Sequence, residues 1–190
     1  TKQFPRHQFS WKVLGAVLQE TGRVSEKLVA NQKSVELAPQ DAEVHYNLGN
    51  TLRDLGRLEE AEASYRKAIA LKPDYVEAYN NLGVTLRELG RSKEAEASYR
   101  NAIALKPDYA DAHSNLGITL RDLGRLEEAE ASCRQAISLK PDYAEAHSNL
   151  GNMLRDLGRL EEAEASHRQA ISLKPDFVEA HSNLGITLQD

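Results

Sequence analysis

The chain has 190 residues and a formal charge of −5, with 41% apolar but only 6% aromatic side chains. Acidic and basic residues are interleaved and no basic block exists that could neutralise a run of phosphates, which argues against nucleic acid as a partner. No apolar run is long enough to cross a membrane or act as a signal peptide, and the single cysteine, Cys133, has no second thiol to pair with.

A cytoplasmic setting is therefore expected. Starting at Thr1 and stopping in mid-pattern at Asp190, the sequence reads as trimmed. Most of its apolar share is Ala and Leu, which suits closely packed helices, so the expected class is all-α.

In chain order, residues 1–7 form a lead-in without pattern, and residues 8–41 a first, divergent unit of two helical segments with Gly22 and Pro39 as breakers. The next unit, 42–75, carries Val44, Leu48, Thr51 and Leu55 at the spacing of one helix stripe and breaks at Gly56. Its second helix is predicted from about Leu58 to Leu71, ahead of Pro73. The frame repeats every 34 residues in 76–109, 110–143 and 144–177, with Gly90, Gly124 and Gly158, then Pro107, Pro141 and Pro175, at the same places. A half unit, 178–190, supplies a first helix only and acts as the terminal helix. Between 110–143 and 144–177 only five positions differ: Asp111/Glu145, Ile118/Asn152, Thr119/Met153, Cys133/His167 and Tyr143/Phe177. After the later prolines stand Asp74, Asp108, Asp142 and Asp176, each followed three residues on by Glu77, Asp111, Glu145 or Glu179, a pattern that predicts acidic helix N-caps.

Trp11, Leu14, Gly15 and Leu18, then Leu48, Gly49, Leu52, Ala61, Tyr65, Ala68 and Pro73, resemble the tetratricopeptide-repeat signature over residues 8 to 190. The resemblance implies a right-handed superhelical solenoid of antiparallel helix pairs that binds other polypeptides. Small residues in both helices allow close approach. In the first unit, Lys27, Asn31 and Ser34 replace the alanine, the aromatic and the second alanine, so its second helix is expected to pack less well and fray.

Numbering each unit from one, a helical wheel puts positions 3, 4, 7, 8, 10, 11 and 14 of the first helix on an apolar arc and leaves 2, 5, 6, 9, 12 and 13 open. Position 6 reads Asn47, Asn81, Asn115, Asn149 and Asn183, with Val13 in the divergent unit. Stacked units would align these carboxamides into a ladder able to pair with the backbone of an extended peptide whatever its side chains. The segments NNLG and SNLG resemble repeats of the O-linked N-acetylglucosamine transferase family, which implies that peptide-gripping role for the five asparagines. Beside them lie Asn50, Val84, Ile118, Asn152 and Ile186 at position 9, with Val84 and Ile118 offering an apolar contact. Arg53, Arg87, Arg121 and Arg155 stand at position 12, and Asp54, Glu88, Asp122 and Asp156 follow at position 13. Acidic residues at position 2 argue against capture of a terminal carboxylate.

The histidines His45, His113, His147 and His181 fall at position 4 among packed residues, so a metal or proton-relay role is not expected. Cys133 and His167 stand where Tyr65 and Tyr99 do, at position 24, and read as packing substitutes. Glu59, Glu60 and Glu62 recur with the period and mark an outer surface. No catalytic group and no cofactor site is expected. The predicted function is a protein- or peptide-binding scaffold, the alternatives being the substrate-recognition arm of a larger enzyme such as a glycosyltransferase, or a self-assembling scaffold joined through exposed Leu184 and Leu188.

Overall fold

Each helix of the chain ends where a residue bends the backbone out of the helical path, and these stops divide it into short, evenly spaced elements. The computed structural model describes Trp11, Leu14 and residues 23–190. The expected lead-in 1–7 and Val13, Gly15, Leu18 and Gly22 of the first unit lie outside the described residues. Among the described residues there are ten helices and no strand. They are α1 (Val24–Leu37), α2 (Ala42–Asp54), α3 (Leu58–Leu71), α4 (Val76–Glu88), α5 (Ser92–Leu105), α6 (Ala110–Asp122), α7 (Leu126–Leu139), α8 (Ala144–Asp156), α9 (Leu160–Leu173) and α10 (Val178–Thr187). Contacts divide the chain into two compact units, one ending at Arg91 and one running from Ser92 to Asp190. In the first, α2 packs on α1, α3 and α4; in the second, α6, α8 and α10 lie side by side, with α7 and α9 as their partners.

The glycine stops are conformational. Gly56, Gly90, Gly124 and Gly158 have φ between +70° and +76°, where a Cβ would meet the following carbonyl. The reversal satisfies the last carbonyls of the helix: Arg57 N donates to Leu52 O at 2.8 Å and Gly56 N to Arg53 O at 2.8 Å.

The proline stops correct one expectation. Asp74, Asp108, Asp142 and Asp176 are not N-caps, because the actual caps are Tyr75, Tyr109, Tyr143 and Phe177, none with a side-chain cap bond. The aspartates are consumed one residue earlier, as the third residue of a β-turn in which Tyr75 N donates to Lys72 O at 3.1 Å with Pro73 second. The Lys72 ammonium sits 4.7 Å from the Tyr75 ring centre, and Lys106, Lys140 and Lys174 cover Tyr109, Tyr143 and Phe177 in the same way. His45, His113, His147 and His181 fasten the turn from the other side, each with Nε2 2.9 Å from the carbonyl of Pro39, Pro107, Pro141 or Pro175. Their position is thus structural, with the Nε2–H tautomer as donor.

Within a pair, the helices meet where the first has glycine and the second has its position-24 side chain. A Cβ on Gly49 would lie 2.7 Å from the Tyr65 ring, one on Gly117 2.5 Å from Cys133 Sγ, and one on Gly151 2.5 Å from the His167 ring. Tyr65, Cys133 and His167 are fully buried there, flanked by the buried alanines Ala61, Ala68, Ala129, Ala136, Ala163 and Ala170. The polar trio of α1, expected to loosen it, is also buried and finds partners. Asn31 Nδ2 donates to Thr51 Oγ1 at 2.7 Å, Ser34 Oγ to Ala30 O at 3.0 Å, and Lys27 Nζ lies 3.3 Å from Asp54. Hydrogen bonds take the place of the missing apolar contacts.

Successive pairs are clasped by ions. Glu62 receives both Arg66 and Arg91, Glu96 both Arg100 and Arg125, and Glu130 both Arg134 and Arg159. Partial burial works against ionisation of these three glutamates, but the paired guanidinium hydrogen bonds outweigh it and hold each below the usual carboxylate range. Glu62, expected on the outer surface, is thereby half-buried.

Two outcomes follow for stability. Gly124→Ala introduces a left-handed alanine costing about 1–2 kcal/mol and lowers Tm by roughly 2 to 8 °C in a circular dichroism melt, whereas Gly185→Ala, with nothing within 4 Å, does not lower it. Burial, aided by the Arg155 charge, pushes the His167 pKa down from 6.5 to about 4. Protons bind the unfolded imidazole first, so this part of the stability is whole above pH 6.5 and is lost as pH falls towards 4. The urea midpoint of His167→Tyr should therefore fall less than that of the parent between pH 7 and pH 4.5; parallel curves would contradict it.

Candidate functional site

Side-by-side packing of first helices brings residues of like position into rows, within each unit, and the asparagines of position 6 form one. In the first unit Asn81 Nδ2 donates back to the preceding helix, to Asn50 Oδ1 at 2.9 Å and to Tyr46 Oη at 3.1 Å. In the second unit Asn149 Nδ2 donates to Ser114 Oγ at 3.1 Å, and Asn183 Nδ2 reaches Ser148 Oγ at 3.5 Å. Asn47, Asn81, Asn115, Asn149 and Asn183 are all half-buried. The amide nitrogen is thus turned towards the helix before it, and the Oδ1 of Asn149 has no partner among the described residues.

The backbone at four of the five asparagines is bonded by a threonine one turn on, Asn149 having Met153 there instead. Thr51, Thr85, Thr119 and Thr187 donate through Oγ1 to the carbonyls of Asn47, Asn81, Asn115 and Asn183 at 2.9–3.0 Å. These threonines are buried, so they fix the asparagine-bearing turn.

The wheel misplaced position 5. Ser114 and Ser148 are buried, because Asn149 and Asn183 of the next helix lie over them, and Asn80 is buried as well. Nor is position 9 uniformly open: Asn50, Val84 and Ile118 are half-buried and Asn152 is buried, against expectation. A wheel treats one helix alone, whereas here a flanking helix covers the side towards it. At the other edge Leu55, placed in the apolar arc, is exposed.

The arginines of position 12, Arg53, Arg87, Arg121 and Arg155, are half-buried at the end of the first helices. Arg121 Nε binds Asp156 Oδ2 of the next repeat at 2.5 Å, a link from position 12 to position 13. Arg155 Nη2 stands 3.7 Å from the same Asp156. Among the described residues no cluster of three or more His, Cys, Asp or Glu could hold a metal ion, and no helix is long and apolar enough to cross a membrane. Cys133 is buried, and burial raises its thiol pKa to about 12, which keeps it protonated.

Three family patterns match this chain. One described as TPR repeat matches residues 49–90 and 151–190, and two described as tetratricopeptide repeat match 80–144, and 30–63 with 132–165; together they span 30 to 190 without a gap. No curated protein sequence matches. Among solved structures, a thermophilic TPR protein of Thermus thermophilus superposes with a TM-score of 0.78 at 28% identity, covering 97% of this chain and 100% of that one. The MamA protein gives 0.76 at 26% identity over 88% and 92%. YrrB, described as a TPR protein with an unusual peptide-binding site, shares the fold at 0.72 and 22% identity over 95% and 93%. With its helix pairs, glycine stops and matched repeats, the chain belongs to the tetratricopeptide-repeat family, whose fold is typical of scaffolds for protein–protein interaction.

Proposed function

We propose that the chain holds an extended polypeptide against its first helices, with Asn47, Asn81, Asn115, Asn149 and Asn183 gripping the backbone of the ligand. The single observation that carries this reading is the common orientation of the amides: each resolved nitrogen donor is tethered to the preceding helix, which presents the carboxamide as a fixed group. A tethered amide loses little rotamer freedom on binding, so the acceptors of Asn149 and Asn183 serve a peptide N–H at low entropic cost, whereas Asn81 Oδ1 first gives up a long bond from Asn80 Nδ2 at 3.3 Å. Asn50, Val84, Ile118 and Asn152 lie beside the row, and Arg53, Arg87, Arg121 and Arg155 border it, where they contact ligand side chains. The peptide-binding site named for YrrB and the likeness of the NNLG and SNLG segments to O-linked N-acetylglucosamine transferase repeats support the same assignment.

The triple change Asn81→Ala, Asn115→Ala and Asn149→Ala tests it. Three backbone hydrogen bonds at about 0.5–1.5 kcal/mol each predict a loss of tenfold or more in affinity for a peptide selected from a random display library. Equal affinity of the parent and a folded triple variant refutes the ladder.

A second reading, self-association, has its own observation: Val178, Ile186 and Leu188 are exposed at 79%, 44% and 58% around α10. Burying such side chains stabilises contact between chains by about 1.5–3 kcal/mol each. Light scattering over rising concentration should then show dimers that Ile186→Glu with Leu188→Glu abolishes; a mass constant at that of the monomer removes this reading.

A further inference from the structure

The eight residues from His181 to Leu188, on α10 and its C-cap, repeat those from His113 to Leu120 on α6 residue for residue. On α6 this segment seats a second helix. An added Cβ at Gly117 would fall 2.5 Å from Cys133 Sγ of α7, and Leu120 is 1% exposed. On α10 the same residues are bare: Gly185 has nothing within 4 Å, and Leu188 is 58% exposed. Val178, His181, Gly185 and Leu188 follow one another at helical spacing and are all exposed, so they form one open stripe.

A repeat buries its apolar face only against a neighbour, and the seat on α10 defines which neighbour that is. Identical residues on α6 take α7, whose Ala129, Cys133 and Ala136 are wholly buried. The occupant of α10 therefore has the face of α7. The second helices of this chain already turn that face to their own first helices, with Tyr65 on Gly49, Cys133 on Gly117 and His167 on Gly151. A second folded copy has none of these to release, which points to a helix of a different polypeptide.

Charge beside the seat makes the same demand independently. Glu96 receives Arg100 of its own helix and Arg125, the N-cap residue of α7; Glu130 likewise receives Arg134 and Arg159, the N-cap residue of α9. The equivalent Glu164 on α9 pairs with Arg168 at 2.7 Å, and among the described residues no second arginine reaches it. Its side chain is 35% exposed, where those of Glu96 and Glu130 are 15%. An arginine at the start of an incoming helix completes this clasp.

We infer that α10 and Glu164 form a docking site for an amphipathic helix of another polypeptide, with Arg at its N-cap and Ala, then Tyr, His or Cys, then Ala at the spacing of Arg125, Ala129, Cys133 and Ala136. The middle side chain enters the space over Gly185, and the two alanines let the helix come close. The arginine sets its direction by reaching Glu164. A larger residue in place of either alanine holds the helix off, and an acid in place of the arginine meets Glu164 with like charge. The site uses the helix of the self-association reading but needs no contact between copies.

Residues 159–174 make a suitable probe as a synthetic peptide, because Arg159, Ala163, His167 and Ala170 hold the four places. The dye-labelled peptide is titrated with the 190-residue chain, at concentrations where light scattering shows monomer, and its anisotropy is followed. The expected result is saturable binding that Gly185→Leu, whose side chain fills the seat, weakens by roughly tenfold or more. Arg159→Glu in the peptide weakens it by about threefold or more, and Glu164→Arg in the chain restores it. Circular dichroism checks that both chain variants keep the parent helicity. Absence of saturable binding overturns the inference, as does equal affinity for the parent and the folded Gly185→Leu chain, or a charge exchange that restores nothing. Loss of binding in the triple variant of Asn81, Asn115 and Asn149 assigns the peptide to the asparagine row and overturns it too. Failure here leaves the ladder and the self-association reading to their own measurements.

Discussion

The close seating of one position-24 side chain on a facing glycine is the contact on which the rest of the structure depends. At Gly49, Gly117 and Gly151 no methyl group would fit, and the opposing helix comes near enough for its alanines to be wholly buried. Such packing gains dispersion from many short contacts without large apolar side chains. This explains how a chain with 6% aromatic residues builds a core within each unit. It also sets the direction of each first helix, since the face that carries glycine must point at its partner. The asparagine, two residues before that glycine, is thereby aimed to one side of the joint.

The joint tolerates Tyr65, Cys133 and His167 alike because shape at the glycine, and not polarity, is the strict demand there. Polarity matters one layer further out, at position 9. Tyr65 with Asn50 and Cys133 with Ile118 are solved cases of that outer layer, and His167 with Asn152 is left open.

Much of this was legible in the sequence. The 34-residue period, the glycine and proline stops and the helix pairs rest on local rules that act within a few residues, and these read directly. The N-caps did not, because Lys72, Pro73 and Asp74 form a turn that uses up the aspartate and hands the cap to Tyr75; an acidic residue near a helix start satisfies two rules equally well. The burial of Ser114 and Ser148 was hidden for another reason: it comes from a helix 34 residues away, to which a single-helix wheel is blind. Likewise Lys27, Asn31 and Ser34 looked like defects until their partners Asp54 and Thr51 came into view.

The glutamate clasps bear on how the array responds to its ionic surroundings. Glu62, Glu96 and Glu130 are only 13–15% exposed, whereas the glutamates of the i,i+3 pairs, Glu60, Glu128 and Glu162, are 51–57% exposed. Mobile counter-ions weaken charges they can surround, and they surround the second group far more completely. Brine should thus erode the helix ends before it slackens the seams from one repeat to the next, so that the chain keeps its joinery while its margins soften.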